Sequence, residues 1–242
     1  RGSGAIFFSH CSLKCCFCQN WEISNGKGQI ATTDDLVEIF KKLEEAGAYN
    51  INLVSPTHFT NQIIDALDKY KPNIPIVWNT SGYETVQNIQ KLKDYVDIFL
   101  TDLKYKDPKL SLAFSGAKDY FDFASKALLQ MIKNQPKDIS KDGILQKGVI
   151  IRHLVLPNCT NDTLDILDWL AENVGTNHII SVMSQYLPCY KAKQNPLLCR
   201  KLKPIEYKQV LHRVQSLGFE NGFVQDFESS CQDFIPDFET PT

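Results

Sequence analysis

The stretch "AIFFSHCSLKCCFCQN", residues 5–20, joins a strand-like apolar run to a loop that holds four of the eight cysteines of the chain. Cys11, Cys15 and Cys18 have the spacing C-x3-C-x2-C, and Cys16 lies inside it. The sequence has no visible signal peptide, so we expect a cytoplasmic, reducing environment. In such an environment, clustered cysteines indicate metal binding or redox chemistry more often than structural disulfides.

Apolar runs rich in Ile, Val and Phe recur along the chain and predict the buried strands of a parallel sheet. The six runs span residues 5–9, 50–55, 74–80, 97–103, 148–156 and 178–184. Stretches with helical spacing of apolar residues follow at 32–47, 61–70, 85–95, 119–134, 161–174 and 204–218. This alternation predicts an α/β fold, either an open doubly wound sheet or an incomplete (β/α) barrel. Periodicity alone does not separate the two.

Polar residues follow each predicted strand. They form the cysteine loop and the segments 55–58, 79–82, 101–104, 152–158 and 184–186. In both candidate folds the active site forms at the C-terminal ends of the strands. We therefore expect these segments to face one common site.

The composition excludes several classes of protein. A formal net charge of -2 without a basic stripe argues against a nucleic-acid partner. No apolar run approaches the length of a transmembrane helix, so no membrane partner is expected. A chain of 242 residues with 43% hydrophobic residues suits a single domain over residues 1–242. The chain begins at Arg1 and not at Met, which leaves open an upstream N-terminal segment.

The spacing of the cysteines favours an iron–sulfur cluster over structural zinc. Structural zinc sites commonly use four ligands in two separated pairs, and the adjacent Cys15 and Cys16 cannot both point at one ion. Three thiolates on a 4Fe–4S cluster would leave one iron without a protein ligand, and such an open position is where chemistry takes place. Cys16 would then not be a ligand of the cluster. The remaining cysteines form no C-x2-C pair and are predicted to be free thiols: Cys159, Cys189, Cys199 and Cys231.

The motif C-x3-C-x-Φ-C after a first strand, with Phe17 as the aromatic residue, resembles the signature of radical S-adenosylmethionine (SAM) enzymes. The segment 2–24 is similar to the branch around pyruvate formate-lyase activating enzyme. "NLVSPTHF" (52–59) and "MSQYLPCYKA" (183–192) are similar to uncharacterised members of that branch. The resemblance spans roughly the whole chain and implies a partial (β/α)6 barrel. It also implies a 4Fe–4S cluster that reductively cleaves SAM to methionine and a 5′-deoxyadenosyl radical, which abstracts hydrogen from a substrate.

The resemblance implies roles for individual residues. The cluster ligands would be Cys11, Cys15 and Cys18, and Phe17 would pack on the adenine of SAM. The wider family has Gly-Gly-Glu after the second strand, and this chain has "SPTH" (55–58) there. The hydroxyls of Ser55 and Thr57 or backbone carbonyls are then expected to accept a hydrogen bond from the SAM amino group.

The resemblance also implies roles for residues that follow later strands. Asn79 and Thr80 stand where activating enzymes have Asp-Thr. The remaining residues are Asp102 for ribose or a monovalent cation, Lys104 and Arg152 for the SAM carboxylate, and Gln185 or Tyr186 for the ribose. Arg152 also interrupts an apolar run, and a charge there needs a partner.

The resemblance leaves three functions open. One is an activase that abstracts hydrogen from a glycyl residue of a partner protein, with an external flavodoxin- or ferredoxin-like electron donor. The second is a radical SAM enzyme acting on a small molecule or peptide. The third is a non-catalytic zinc or redox protein.

Overall fold

The computed structural model describes residues 2–224, and Cys231 lies outside this part of the chain. Its strands are β1 (Gly4–Phe7), β2 (Ile51–Val54), β3 (Ile76–Thr80), β4 (Ile98–Asp102), β5 (Ile139–Lys141), β6 (Ile144–Leu154), β7 (Ile179–Met183) and β8 (Gly222–Val224). All six predicted strands are present, and β5 and β8 were not predicted. The strand β5 pairs antiparallel with β6 across a turn at Asp142 and Gly143, both with positive φ. An Asp-Gly pair is a strong hairpin signal that could have revealed β5.

The helices are α1 (Trp21–Ser24), α2 (Thr33–Glu45), α3 (Thr60–Lys69), α4 (Val86–Lys91), α5 (Pro108–Ser115), α6 (Tyr120–Asn134), α7 (Thr160–Asn173) and α8 (Pro204–Ser216). Short 3-10 helices lie at Thr57–Phe59 and Tyr190–Gln194. The six predicted helices are confirmed, while α1 and α5 were not predicted. Helix α2 begins with a capping box between Thr32 and Asp35, as the sequence indicates. No helix in residues 2–224 is long and apolar enough to cross a membrane.

The order of the strands decides between the two candidate folds. The parallel sheet runs β1-β2-β3-β4-β6-β7-β8, so each parallel strand lies beside the next one along the chain. A doubly wound sheet would reverse this order at a switch point, whereas a (β/α) barrel keeps it. Within residues 2–224, β1 pairs only with β2, and β8 pairs only with β7. The fold is therefore a partial α/β barrel with an open side between β1 and β8.

Successive residues of each strand point alternately to the helical layer and to the interior of the barrel. Trp78 and Phe99 are fully buried against the helical layer. Asn79, Asp102 and Arg152 alternate with such residues and line a cavity inside the barrel. Asp102 and Arg152 are direct partners in the register of β4 with β6. The register thus brings two opposite charges together at the C-terminal ends of the strands.

Gly82 allows the turn after β3 to lie against the end of β4. Its φ is +81°, and a Cβ at this position would overlap the backbone carbonyl oxygen of Asp102. Side chains are therefore excluded both by the left-handed conformation and by the lack of space. This close approach fixes the end of β4 where Asp102 enters the cavity.

Gly82→Ala should destabilise the fold by clearly more than Gly116→Ala. Gly116 also has positive φ, +73°, but a Cβ there meets no heavy atom within 4 Å. The control therefore measures the conformational cost alone, about 1 kcal/mol. Urea unfolding of both variants measures the difference. Equal losses of unfolding free energy would contradict the close approach of Gly82 to Asp102.

Candidate active site

One cavity of about 360 Å³ lies inside the barrel at the C-terminal ends of the strands. The cysteine loop and the ends of several strands line it. The predicted site residues among its lining are Cys11, Cys15, Phe17, Cys18, Ser55, Asn79, Thr80, Asp102, Lys104, Arg152, Gln185 and Tyr186. The structure thus brings together every predicted site residue except Thr57.

The cysteine loop separates three thiols from the fourth. Cys11, Cys15 and Cys18 line the cavity, and Cys16 does not. The backbone N–H of Cys16 donates to the Phe114 carbonyl at 2.7 Å, and its carbonyl accepts from the Ala192 N–H at 2.8 Å. These two bonds fix the loop at Cys16, between the end of α5 and the 3-10 helix Tyr190–Gln194.

Burial governs the protonation of the three thiols. It raises the pKa of Cys11, Cys15 and Cys18 above the usual range, although nearby Lys104 opposes this. The Cys15 Sγ also lies 3.0 Å from the Ser115 hydroxyl. Within residues 2–224, no three His, Cys, Asp or Glu side chains converge closely enough to hold a single metal ion. A cationic group between the thiols would be needed to stabilise them as thiolates.

A charged network forms another part of the cavity wall. Asp102 accepts hydrogen bonds from Arg152 Nε at 2.8 Å and from Lys104 Nζ at 2.5 Å. Arg152 Nη2 also donates to Asn79 Oδ1 at 2.7 Å. Burial alone would raise the pKa of Asp102, but the charges of Arg152 and Lys104 outweigh it and lower that pKa. Asp102 likewise raises the pKa of Lys104 against the effect of burial.

Two cations and one carboxylate leave a net positive charge facing the cavity. Lys104 has three N–H donors and Arg152 has five, and Asp102 and Asn79 use only some of them. The remaining donors suit an anionic ligand, and a carboxylate fits the fork of a guanidinium.

The model of the Radical SAM superfamily matches residues 5–170 of this sequence. The chain belongs to the radical SAM superfamily. An uncharacterised protein of Methanocaldococcus jannaschii, MJ0674, is 34% identical over 231 residues, which are 90% of this chain and 63% of the relative. The chain thus spans less than two thirds of the length of this curated relative.

Solved structures share the fold at low sequence identity. Streptococcus suis SuiB bound to S-adenosylmethionine is 14% identical, with a TM-score of 0.61 over 93% of this chain and 50% of that one. The protein anSMEcpe with bound AdoMet and a Cp18Cys peptide is 15% identical, with a TM-score of 0.59 over 89% and 59% of the two chains. These likenesses confirm the radical SAM fold. The branch around pyruvate formate-lyase activating enzyme stays a prediction.

Tyr120 and His153 hold the backbone of this radical SAM site near Lys104. The Tyr120 hydroxyl accepts from the backbone N–H of Lys104 at 3.0 Å and donates to the Ser81 carbonyl at 2.8 Å. His153 Nδ1 lies 2.6 Å from the Leu103 carbonyl. Burial lowers the pKa of His153 to about 4, so its ring is neutral and Nδ1–H donates to that carbonyl. His153 and Arg152 face opposite sides of β6, as expected from alternation.

Hydroxyl groups at three predicted positions have protein partners. Thr57 lies outside the cavity lining, and its hydroxyl donates to Glu84 Oε1 at 2.7 Å. The Thr80 hydroxyl donates to the same oxygen at 2.9 Å. The Tyr186 hydroxyl donates to the Leu198 carbonyl at 2.7 Å, while its ring packs edge-on against Phe17. In this structure buried Glu84 engages the Thr57 hydroxyl, and the contact of Thr57 with the SAM amino group stays a prediction.

The distant cysteines do not join the site. Cys159 is buried, Cys189 is half-buried and Cys199 is exposed, and none of the three forms a disulfide. All three are free thiols in this structure, and Cys159 alone of them is buried. The Cys189 thiol donates to the Phe17 carbonyl at 3.2 Å and so supports the cysteine loop.

Two asparagines that line the cavity, Asn20 and Asn52, do not stand out in the sequence. Asn20 follows the cysteine motif, and Asn52 lies in β2. The Oδ1 atom of each is buried without a hydrogen-bond partner in the described part of the chain. A polar residue inside an apolar strand run is the signal that could have revealed Asn52, as it did for Arg152.

Proposed function

We propose that the chain is a radical SAM enzyme whose Cys11, Cys15 and Cys18 hold a 4Fe–4S cluster and whose cavity binds SAM. The observation that carries this proposal is that these three thiols share one cavity with the cations of the Asp102 network, while Cys16 lies outside it. When bound, the cluster and SAM supply reductive C–S cleavage to methionine and a 5′-deoxyadenosyl radical that abstracts hydrogen.

The residues of the cavity fit these cofactors. Iron–sulfur clusters are bound by cysteine thiolates, and three thiols line this cavity. Burial raises the pKa of these thiols, and a cationic group bound between them would lower it. Lys104 and Arg152 would bind the carboxylate of SAM with the N–H donors that Asp102 and Asn79 leave. Asp102 holds both cations in place and prevents their mutual repulsion from separating them.

Other parts of SAM would meet the remaining lining. Phe17 has a buried aromatic ring at the cavity wall, where the adenine can pack on it. Asn20 lines the cavity beside the cysteine loop, so its amide lies near the space that SAM would fill. Ser55 and Gln185 line the cavity after β2 and β7, where they would meet the amino group and the ribose.

The finer proposal is an activase that resembles pyruvate formate-lyase activating enzyme and acts on a glycyl residue of a partner protein. It is supported by the open side between β1 and β8 in the described residues, through which a polypeptide could enter. An external flavodoxin- or ferredoxin-like protein would supply the electron. We expect the enzyme to be cytoplasmic.

Cys15→Ala should abolish cluster assembly, and Cys16→Ala should leave it intact. Only Cys15 lines the cavity, although the two residues are adjacent in the loop. Iron and sulfide content and visible absorbance after anaerobic reconstitution measure the outcome. Cys11→Ala and Cys18→Ala should match Cys15→Ala. An intact cluster in Cys15→Ala, or its loss in Cys16→Ala, would refute the ligand assignment, and stoichiometric zinc in the wild type would favour the non-catalytic alternative.

Lys104→Met or Arg152→Met should weaken SAM binding while the cluster remains. A charge-assisted hydrogen bond contributes about 1.5–3 kcal/mol, so losing one predicts roughly a tenfold to hundredfold rise in Kd. Anaerobic calorimetric titration with SAM measures it. Lys147→Met is the matched control, because Lys147 is exposed and pairs with Asp97 outside the cavity. Unchanged affinity in both cavity variants would contradict the proposed carboxylate site.

A further inference from the structure

A buried hydroxyl at the end of α5 contacts a thiol of the cysteine loop. Ser115 is the last residue of α5, and its Oγ lies 3.0 Å from Cys15 Sγ. The Tyr105 hydroxyl lies 2.8 Å from the same Oγ. Ser115 and Tyr105 are both buried. Two buried hydroxyls thus form a chain of hydrogen bonds that ends on a proposed cluster ligand.

Backbone contacts hold α5 against the cysteine loop without help from the Ser115 hydroxyl. The Lys14 N–H donates to the Ser115 carbonyl at 3.1 Å, and the Cys16 N–H donates to the Phe114 carbonyl at 2.7 Å. These two bonds lie on either side of Cys15. An alanine at position 115 would therefore remove the side-chain hydrogen bond and keep the backbone contacts.

Aromatic packing holds the other end of the chain of hydrogen bonds. The Tyr105 ring meets the rings of Phe17, Phe114 and Tyr120 at centroid distances of 6.5, 6.2 and 5.5 Å. Aromatic pairs are stabilising at such distances. Within residues 2–224, the Tyr105 hydroxyl has Ser115 as its one hydrogen-bond partner. The position of this hydroxyl is therefore fixed, and its proton can go only to Ser115.

A cluster bound to Cys15 would fix the direction of both hydrogen bonds. A thiolate bound to iron has no proton, so Cys15 Sγ can accept a hydrogen bond and cannot donate one. If Ser115 donates to Cys15, the Ser115 oxygen accepts from Tyr105 and both hydroxyl protons have partners. If Ser115 donated to Tyr105 instead, the buried Tyr105 proton would have no acceptor, which is costly. The stable order is therefore Tyr105 to Ser115 to Cys15.

A hydrogen bond to a ligand sulfur changes the reduction potential of an iron–sulfur cluster. The donor withdraws negative charge from the sulfur, and this stabilises the reduced cluster, which carries one more electron. Donation from Tyr105 polarises the Ser115 hydroxyl and strengthens its bond to the sulfur. The chain of hydrogen bonds should therefore make the cluster easier to reduce.

We propose that Ser115, supported by Tyr105, raises the reduction potential of the cluster through a hydrogen bond donated to Cys15 Sγ. The inference rests on the proposed function, because it takes Cys15 as a cluster ligand. Neither Ser115 nor Tyr105 lines the cavity, so both are positioning residues that act through Cys15 and not through SAM. The electron from the external donor then enters a cluster of higher potential.

Ser115→Ala should shift the reduction potential of the cluster to a more negative value. A redox titration of anaerobically reconstituted protein without SAM measures the potential, with the EPR signal of the reduced cluster as the readout. Ser111→Ala is the matched control, because Ser111 is also buried in α5 and its hydroxyl donates to the Pro108 carbonyl at 3.2 Å. The control should keep the wild-type potential.

Tyr105→Phe supplies a second variant, which decides the outcome if Ser115→Ala assembles no cluster. Its potential should shift in the same direction by a smaller amount, because Ser115 still donates to Cys15 but loses the polarisation by Tyr105. A wild-type potential in cluster-loaded Ser115→Ala or Tyr105→Phe would overturn the proposal. A shift in Ser111→Ala equal to that of Ser115→Ala would also overturn it, since the shift would then reflect a change in α5 as a whole.

The iron and sulfide content of the wild type separates this inference from the proposed function. A wild type that assembles no cluster would refute the proposed function and the inference together. A wild type with a complete cluster, and with the same potential as Ser115→Ala, would refute the role of Ser115 alone.

Discussion

The ion pairs of Asp102 with Arg152 and Lys104 are the constraint on which the site depends. Buried charges are costly unless they are paired, so the end of β4 must meet the end of β6 in the register that the structure has. The close approach of Gly82 and the hydrogen bonds of Tyr120 and His153 hold this stretch of backbone in place. The result is a fixed positive region in a cavity that three thiols also line.

Backbone contacts at Cys16, outside the cavity, hold the cysteine loop in place. Two backbone hydrogen bonds at Cys16, to Phe114 and from Ala192, tie the loop to elements that lie more than 90 residues later in the chain. Because the backbone is fixed at Cys16, its neighbours Cys15 and Cys18 reach the cavity and Cys16 does not. One loop thereby provides three cavity-lining thiols from four cysteines.

The sequence predicts much of the fold, because buried parallel strands are nearly continuous apolar runs. It does not separate a barrel from a doubly wound sheet, since strand order is a long-range property that the pairing of β1 through β8 reveals. Most site residues were predictable from their positions after strands. The contacts were not: Thr57 bonds to Glu84, which lies 27 residues away, and the unpaired state of Asn52 depends on its neighbours in space.

We propose that the thiols and cations of one cavity together support cleavage of SAM. The most direct measurement is chromatography of the quenched reaction of anaerobically reconstituted protein with SAM and a strong reductant. We expect slow formation of methionine and 5′-deoxyadenosine in near-equal amounts without any added substrate. Protein that carries the cluster and binds SAM, yet yields neither product under a reductant that works for a control enzyme, would contradict it.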